Sequence, residues 1–173
     1  MAHIPTRTVY LEMRSPRYRD VPKPLEEIAV EHTRPSIDDY RFLYSSVGKD
    51  YHWIDRLRLE DDQLIAIIQD DTVDIYILKV RGDVAGYAEL DRRIPDEVEI
   101  AYFGLLPEFV GKGLGKYFLC WAVNKAWAHQ PRRVWVHTCD LDHPAALSNY
   151  LKAGFEIYDQ NVIDQFVEDG VGE

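Results

Sequence analysis

Cysteine is nearly absent: Cys120 and Cys139 are the only two in 173 residues. Two thiols cannot frame a disulfide scaffold, and a chain this long can build a core without one. Both are read as reduced thiols of a cytoplasmic protein. Positive charge is also scarce. Twenty Lys and Arg face 30 Asp and Glu, for a formal net charge of −10. A nucleic-acid face needs a basic excess, so no nucleic-acid partner is expected, and an anionic membrane surface is disfavoured for the same reason, so no membrane partner is expected either. The longest apolar run, around Ile100 to Leu106, falls far short of the roughly 20 residues of a membrane span. Met1 to Tyr10 hold no apolar h-region, so no secretory signal is expected. The absence of C-x-x-C, H-E-x-x-H and EF-hand spacings argues against a structural metal.

What is present fits one folded domain over residues 1–173, since apolar residues make up 46% and charged residues 29%. The charge is uneven. Ser36 to Lys79 hold ten acids against five bases, whereas Glu108 to Arg133 hold five bases against one acid. A basic segment in an acidic chain marks either an anion-binding site or a solvated helix face.

The pattern predicts a strand over Thr8–Met13, then a proline-rich arm through Pro16, Pro22 and Pro24, completing residues 1–35. Helices follow in residues 36–70: one opening at Ser36 as N-cap and closed by Gly48, another over Asp61–Gln69. Strands are predicted at Asp74–Val80 and Val84–Asp91, joined by the Arg81-Gly82-Asp83 turn, and at Val98–Leu106. In that third strand Val98, Ile100, Tyr102, Gly104 and Leu106 are expected on one face, with Glu99, Ala101, Phe103 and Leu105 on the other. A helix over Gly113–His129, a strand over Val134–Thr138, a helix over His143–Ala153 and a strand over Phe155–Val162 complete the order. Hairpins leading into a β-α-β crossover imply an α/β chain with a mixed sheet.

Between the third strand and the next helix lies Val110-Gly111-Lys112-Gly113-Leu114-Gly115-Lys116. Glycines allow a tight turn and close approach of a ligand, and the free N–H groups of a helix start attract phosphate. The Walker loop is excluded because Val110 and Tyr117 stand where it needs Gly and Ser or Thr. The dinucleotide fingerprint is excluded because Lys116 stands where it needs Gly or Ala. A strand-to-helix turn without ligand is the plain alternative.

The segment Leu105-Leu106-Pro107-Glu108-Phe109-Val110-Gly111-Lys112-Gly113-Leu114-Gly115 resembles motif A of the GNAT superfamily of N-acetyltransferases. His143-Pro144-Ala145-Ala146-Leu147-Ser148-Asn149-Tyr150-Leu151-Lys152-Ala153-Gly154-Phe155 resembles its motif B. The resemblance covers roughly residues 74–162, leaving 36–70 as acceptor-side helices. It implies a mainly antiparallel sheet of six to seven strands flanked by about four helices. It also implies acetyl-CoA as acyl donor, with the acetyl group passing directly to a primary amine. The pyrophosphate would lie on the amides of Gly111, Lys112, Gly113, Leu114, Gly115 and Lys116. Pantetheine would pair with the strand edge from Phe103 through Leu105 and Leu106. The chain departs from the family at Val110, usually Gln or Arg, and at His143, often Asn.

By the same resemblance Tyr150 would protonate the departing thiolate and Glu99 would accept the amine's proton. Water is the alternative base, and a solvent-facing strand carboxylate is the plain reading of Glu99, as of Glu89 and Glu97. His137 and Cys139, two apart on one strand face, fall near the acceptor end, where a Cys–His nucleophile is the covalent alternative. Tyr44 and Trp53, in a cluster with Tyr51 and His52, fall in the family's variable acceptor region. Their acids and aromatics suit a cationic amine, a small molecule or peptide end. A homodimer is left open. The rival function is a catalytically silent acyl-CoA-binding or regulatory module on the same fold.

Overall fold

In the computed structural model, which describes residues 2–167, one seven-stranded sheet runs through the chain. The strands are β1 (Ala2–Met13), β2 (Ile28–Thr33), β3 (Val73–Val80), β4 (Asp83–Asp91), β5 (Glu97–Leu105), β6 (Arg133–Cys139) and β7 (Glu156–Val167). Their spatial order is β2-β3-β4-β5-β6-β1-β7. Every pairing is antiparallel except that of β5 with β6. Helices α1 (Ile37–Gly48) and α2 (Asp61–Ile68) cover one face, and α3 (Leu114–Ala128) and α4 (Ala146–Ala153) the other. The expected mixed α/β architecture with four helices is thus present.

The local signals act as their chemistry dictates. Ser36 caps α1 by accepting from the Asp39 amide at 3.2 Å. Arg81 and Gly82 both take positive φ, 51° and 82°, which suits a tight hairpin turn between β3 and β4. Gly154 ends α4 at φ +108°. The helix expected from His143 starts at Ala146, because the His143 ring Nδ1 accepts from the Ala145 amide at 3.0 Å and holds a turn first.

Three expectations are corrected. The arm contains a strand, β2, hidden by the prolines before it and by its short apolar stripe of Ile28 and Val30; it is an edge strand that pairs with β3 alone. β1 is longer than predicted and lies inside the sheet, with β6 along Thr8–Met13 on one side and β7 on the other. Pro5 falls where β1 has only β7 as neighbour, so its missing N–H leaves no ladder broken on the β6 side. The simple alternation predicted for β5 fails at Ala101. Leu90 pairs with Ile100 and Glu89 with Tyr102, leaving Ala101 as a bulge. Val98 and Ile100 therefore pack on the α3 side, Tyr102 joins the α1–α2 side, and Phe103 returns to α3, 5.3 Å from the Phe118 ring.

Candidate active site

β5 and β6 are paired only over Glu97–Glu99 with Arg133–Trp135. Beyond that point they part, and the backbone of β5 has an edge that needs partners. A cavity of about 340 Å³ opens in the gap. Phe103 and Leu105 line it from β5, and His137 and Cys139 from β6. Tyr150 comes from α4, and Trp53 from the loop between α1 and α2.

The glycine turn stands at the mouth of this gap. Gly111 and Gly113 have φ of +84° and +77°, a region that penalises any side chain. A Cβ would meet nothing within 4 Å at Gly111 and only Pro24, at 3.7 Å, at Gly113. The backbone sign, not crowding, therefore calls for glycine. Gly113 occupies the N-cap of α3 and offers no side chain to its first amides. Those donors are left for an anion. Leu114 is fully buried in the core, so only its amide faces this role.

Of the residues singled out from sequence, Tyr44, Tyr51, His52, Trp53, Phe103, Leu105, Val110, Gly115, His137, Cys139, His143 and Tyr150 line the cavity. Lys112, with its ammonium 5.6 Å from the Phe109 ring, and Lys116 belong to the turn and first helical turn beside it. Leu106 does not line the cavity. Its amide donates to the Ala85 carbonyl at 2.8 Å, so the edge expected to extend to Leu106 ends at Leu105.

The titratable groups converge in two places. Tyr150 is 8% exposed, and its ring packs against Phe155. Burial first, then the Asp142 charge, push its phenol above the ordinary value, which keeps it a proton donor. His137 lines the cavity with its Nδ1 3.5 Å from Glu99, whose carboxylate stands behind it and is not itself a lining group. The hydrogen bond to Glu99 raises the histidine's pKa. Burial opposes that shift, and the charges of Glu99, Asp142 and Asp55 support it. Burial and the Asp142 charge also push the Cys139 thiol up, away from the thiolate that a Cys–His nucleophile requires.

Two features escaped the sequence reading. Asp142 ties the walls together: its carboxylate accepts from the Trp53 indole at 3.3 Å, from the Thr138 hydroxyl at 2.6 Å and from the Cys139 amide at 3.0 Å. Its place in a turn before His143-Pro144 was the available signal. The second is Glu89, read as solvent-facing and found with no exposed surface. It accepts from the Tyr40 hydroxyl at 2.6 Å and from Arg56 at 2.8 Å. The Arg56 guanidinium also stacks 5.2 Å from the Tyr102 ring. A glutamate between Ala88 and Leu90 in an apolar strand was the clue; its partner, in an irregular loop, could not be read.

The model of the acetyltransferase (GNAT) family matches residues 34–155, well over half of the chain. Among solved structures, a GCN5-related N-acetyltransferase from Sphaerobacter thermophilus superposes with a TM-score of 0.69 at 15% identity. That match covers 93% of this chain and 51% of that one, so the chain spans about half the length of the Sphaerobacter protein. An IAA acetyltransferase from Bacillus cereus matches with a TM-score of 0.57 at 23% identity, over 76% of this chain and 79% of that one. A Bacillus subtilis acetyltransferase in complex with CoA matches with a TM-score of 0.55 at 20% identity, over 76% and 78%. No curated protein matches. Among the described residues, no helix is long and apolar enough to cross a membrane. With the family model spanning both the glycine turn and the helix that carries Tyr150, the chain belongs to the GNAT family of acetyltransferases.

Proposed function

We propose that the protein is an N-acetyltransferase that moves an acetyl group from acetyl-CoA directly to a primary amine. The single observation that carries this reading is the parting of β5 and β6. It leaves an unpaired strand edge running from an uncapped helix N-terminus to a cavity lined by Tyr150 and His137. Such an edge suits an amide-bearing pantetheine arm, and the amides of α3 suit its pyrophosphate. Acetyl-CoA supplies an activated thioester acyl group.

The chain's own residues then have three tasks. The Glu99–His137 pair accepts the proton of the incoming ammonium, with the carboxylate stabilising the imidazolium that forms. The cavity walls hold the freed nitrogen against the acyl carbon. Tyr150 donates its proton as charge grows on the departing sulfur. The acceptor is a cationic amine: Asp55 and Asp142 line the cavity with Tyr44, Tyr51 and Trp53, and the lining includes neither Lys nor Arg. A small-molecule amine and a peptide end both meet this description.

The test is release of free thiol from acetyl-CoA in the presence of cationic, neutral and acidic acceptors, beside calorimetry with acetyl-CoA alone. Turnover confined to cationic amines is expected. Binding of acetyl-CoA without turnover on any amine would instead establish a silent acyl-CoA-binding module.

A further inference from the structure

β6, β1 and β7 present two unlike faces. Val9, Leu11 and Met13 of β1 and Val134 and Val136 of β6 are buried in the apolar cluster beneath α3 and α4. Alternation turns their neighbours Tyr10, Trp135 and His137 to the opposite face. The helices α1 and α2 lie on that face too, but they pack over β3 and β4. The rings beyond them keep part of their surface in solvent: Tyr10 and Trp135 are half-buried, and Tyr158 is 43% exposed.

These rings are contiguous. Centroids lie 6.1 Å apart from Trp135 to His137, 5.8 Å from His137 to Tyr10 and 6.2 Å from Tyr10 to Tyr158. The Arg133 guanidinium closes the circuit, 5.4 Å from the Trp135 ring and 5.3 Å from the Tyr158 ring. Its charge is already matched, since it donates to Glu97 at 2.9 Å and to Glu12 at 3.0 Å. The shelf therefore offers ring faces rather than a site for an anion. Tyr10 and His137 also line the central cavity, whereas Trp135 and Tyr158 do not. The shelf thus begins at the cavity wall that carries His137 and runs one ring spacing beyond it.

We propose that this shelf is an acceptor subsite for an aromatic group on the body of the amine, with Trp135 and Tyr158 as its specificity-determining residues. The inference rests on the N-acetyltransferase reading above and concerns the part of the acceptor that does not react. With the amine at His137, a planar group on a flexible arm reaches Trp135 and Tyr158 and stacks there. Covering about half of such a ring is worth roughly tenfold in affinity. The stacked group is remote from the reacting atoms, so the gain falls on KM and leaves kcat unchanged.

Thiol release from acetyl-CoA tests the shelf with two sets of acceptors. One compares benzylamine, phenylbutylamine and phenylhexylamine with the alkylamines that lack the ring. The other compares tripeptide amides that begin with alanine and end in phenylalanine or in serine. In at least one set the ring is expected to lower KM about tenfold, and the set that shows it separates a small-molecule acceptor from a peptide end. In Tyr158→Ala the KM ratio of ringless to ring-bearing acceptors falls to about one, whereas Tyr158→Phe, which keeps the ring, retains the advantage. Calorimetry with acetyl-CoA reports that each variant is folded. No ring advantage in either set, or one that survives in both Tyr158→Ala and Trp135→Ala, overturns the shelf and leaves the acetyltransferase reading standing. A wild-type dimer in sedimentation that Tyr158→Ala dissociates overturns it too, because a second copy then covers the rings. If no amine of either set releases thiol, the N-acetyltransferase reading falls and the shelf with it.

Discussion

The two walls of the cavity are built by different means. On the α1–α2 side the wall is made of side chains: Tyr44, Trp53 and Tyr102 pack ring against ring, 5.1–5.6 Å apart, over the buried Arg56–Glu89 pair. On the α3 side the donors on offer are backbone amides, displayed by Gly111 and by Gly113, the N-cap of α3, both at positive φ. A backbone-built wall fits any ligand carrying the same phosphate, so its signature is short and reusable. A wall of interlocked side chains fits one shape, and its parts come from distant positions. Asp142 fastens the two, holding Trp53 from the turn that precedes α4.

The sharpest test is Tyr150→Phe, because Tyr150 lines the cavity between the two walls. Turnover is expected to fall roughly 10²–10⁴-fold where chemistry limits the rate, as for loss of a general acid. Acetyl-CoA affinity, measured by calorimetry, should hardly move. Unchanged turnover would make the hydroxyl a packing group.

Breaking the side-chain wall comes next. Glu89→Ala strands the Arg56 charge in the core, and removing one partner of a buried pair costs about 3–5 kcal/mol. Denaturant unfolding should record that loss, and acceptor binding should weaken as the loop carrying Trp53 and Asp55 loses its anchor. Replacing both members with apolar residues of similar volume should recover much of the stability without restoring acceptor binding.

Breaking the backbone wall should do the reverse. In Gly113→Asp the new carboxylate sits at a helix N-cap and accepts the amides that the donor needs. Acetyl-CoA affinity is expected to weaken about tenfold or more, while positive φ costs only about 1–2 kcal/mol of stability. Undiminished affinity in this folded variant would move the phosphate site elsewhere.

The smallest effect is the pH dependence of the Glu99–His137 pair. The histidine's folded pKa lies above its ordinary value of 6.5, so the pair stabilises the fold fully below that pH. The contribution is lost as pH rises through the raised folded value. Glu99→Gln should therefore lower Tm at pH 6 and leave it nearly unchanged well above the raised value. The same substitution should shift the rising limb of kcat/KM toward lower pH, since His137 then gives up its proton more readily. A Tm difference equal at both pH values would dissolve the pair.

These contrasts explain what could be read in advance. The glycine turn was legible because positive φ and an open N-cap demand glycine at fixed spacing, and Tyr150 because it travels within a contiguous motif. Hairpin and helix limits near Gly82, Ser36 and Gly154 were legible for the same local reasons. Glu89 was misread because whether a strand carboxylate is buried depends on a partner 33 positions away. The face swap in β5 depends on a bulge set by its pairing with β4, which periodicity within one strand does not contain. β2 was missed because its apolar stripe is only Ile28 and Val30, too short to stand out after the prolines of the arm.

The position of β1 has a consequence for how the chain comes together. Of the seven described strands it is the first in sequence, yet both strands that flank it, β6 and β7, are the last. Through most of synthesis neither of its edges has its native ladder. Closing the sheet therefore requires pairing between strands far apart in sequence, the type of long-range pairing that slows folding. The earlier strands and α3 can assemble around their own apolar clusters while the slot beside β6 waits. Sheet completion thus waits for β7, and a ribosome stalled before β7 would hold a β1 with no strand to cover its outer edge.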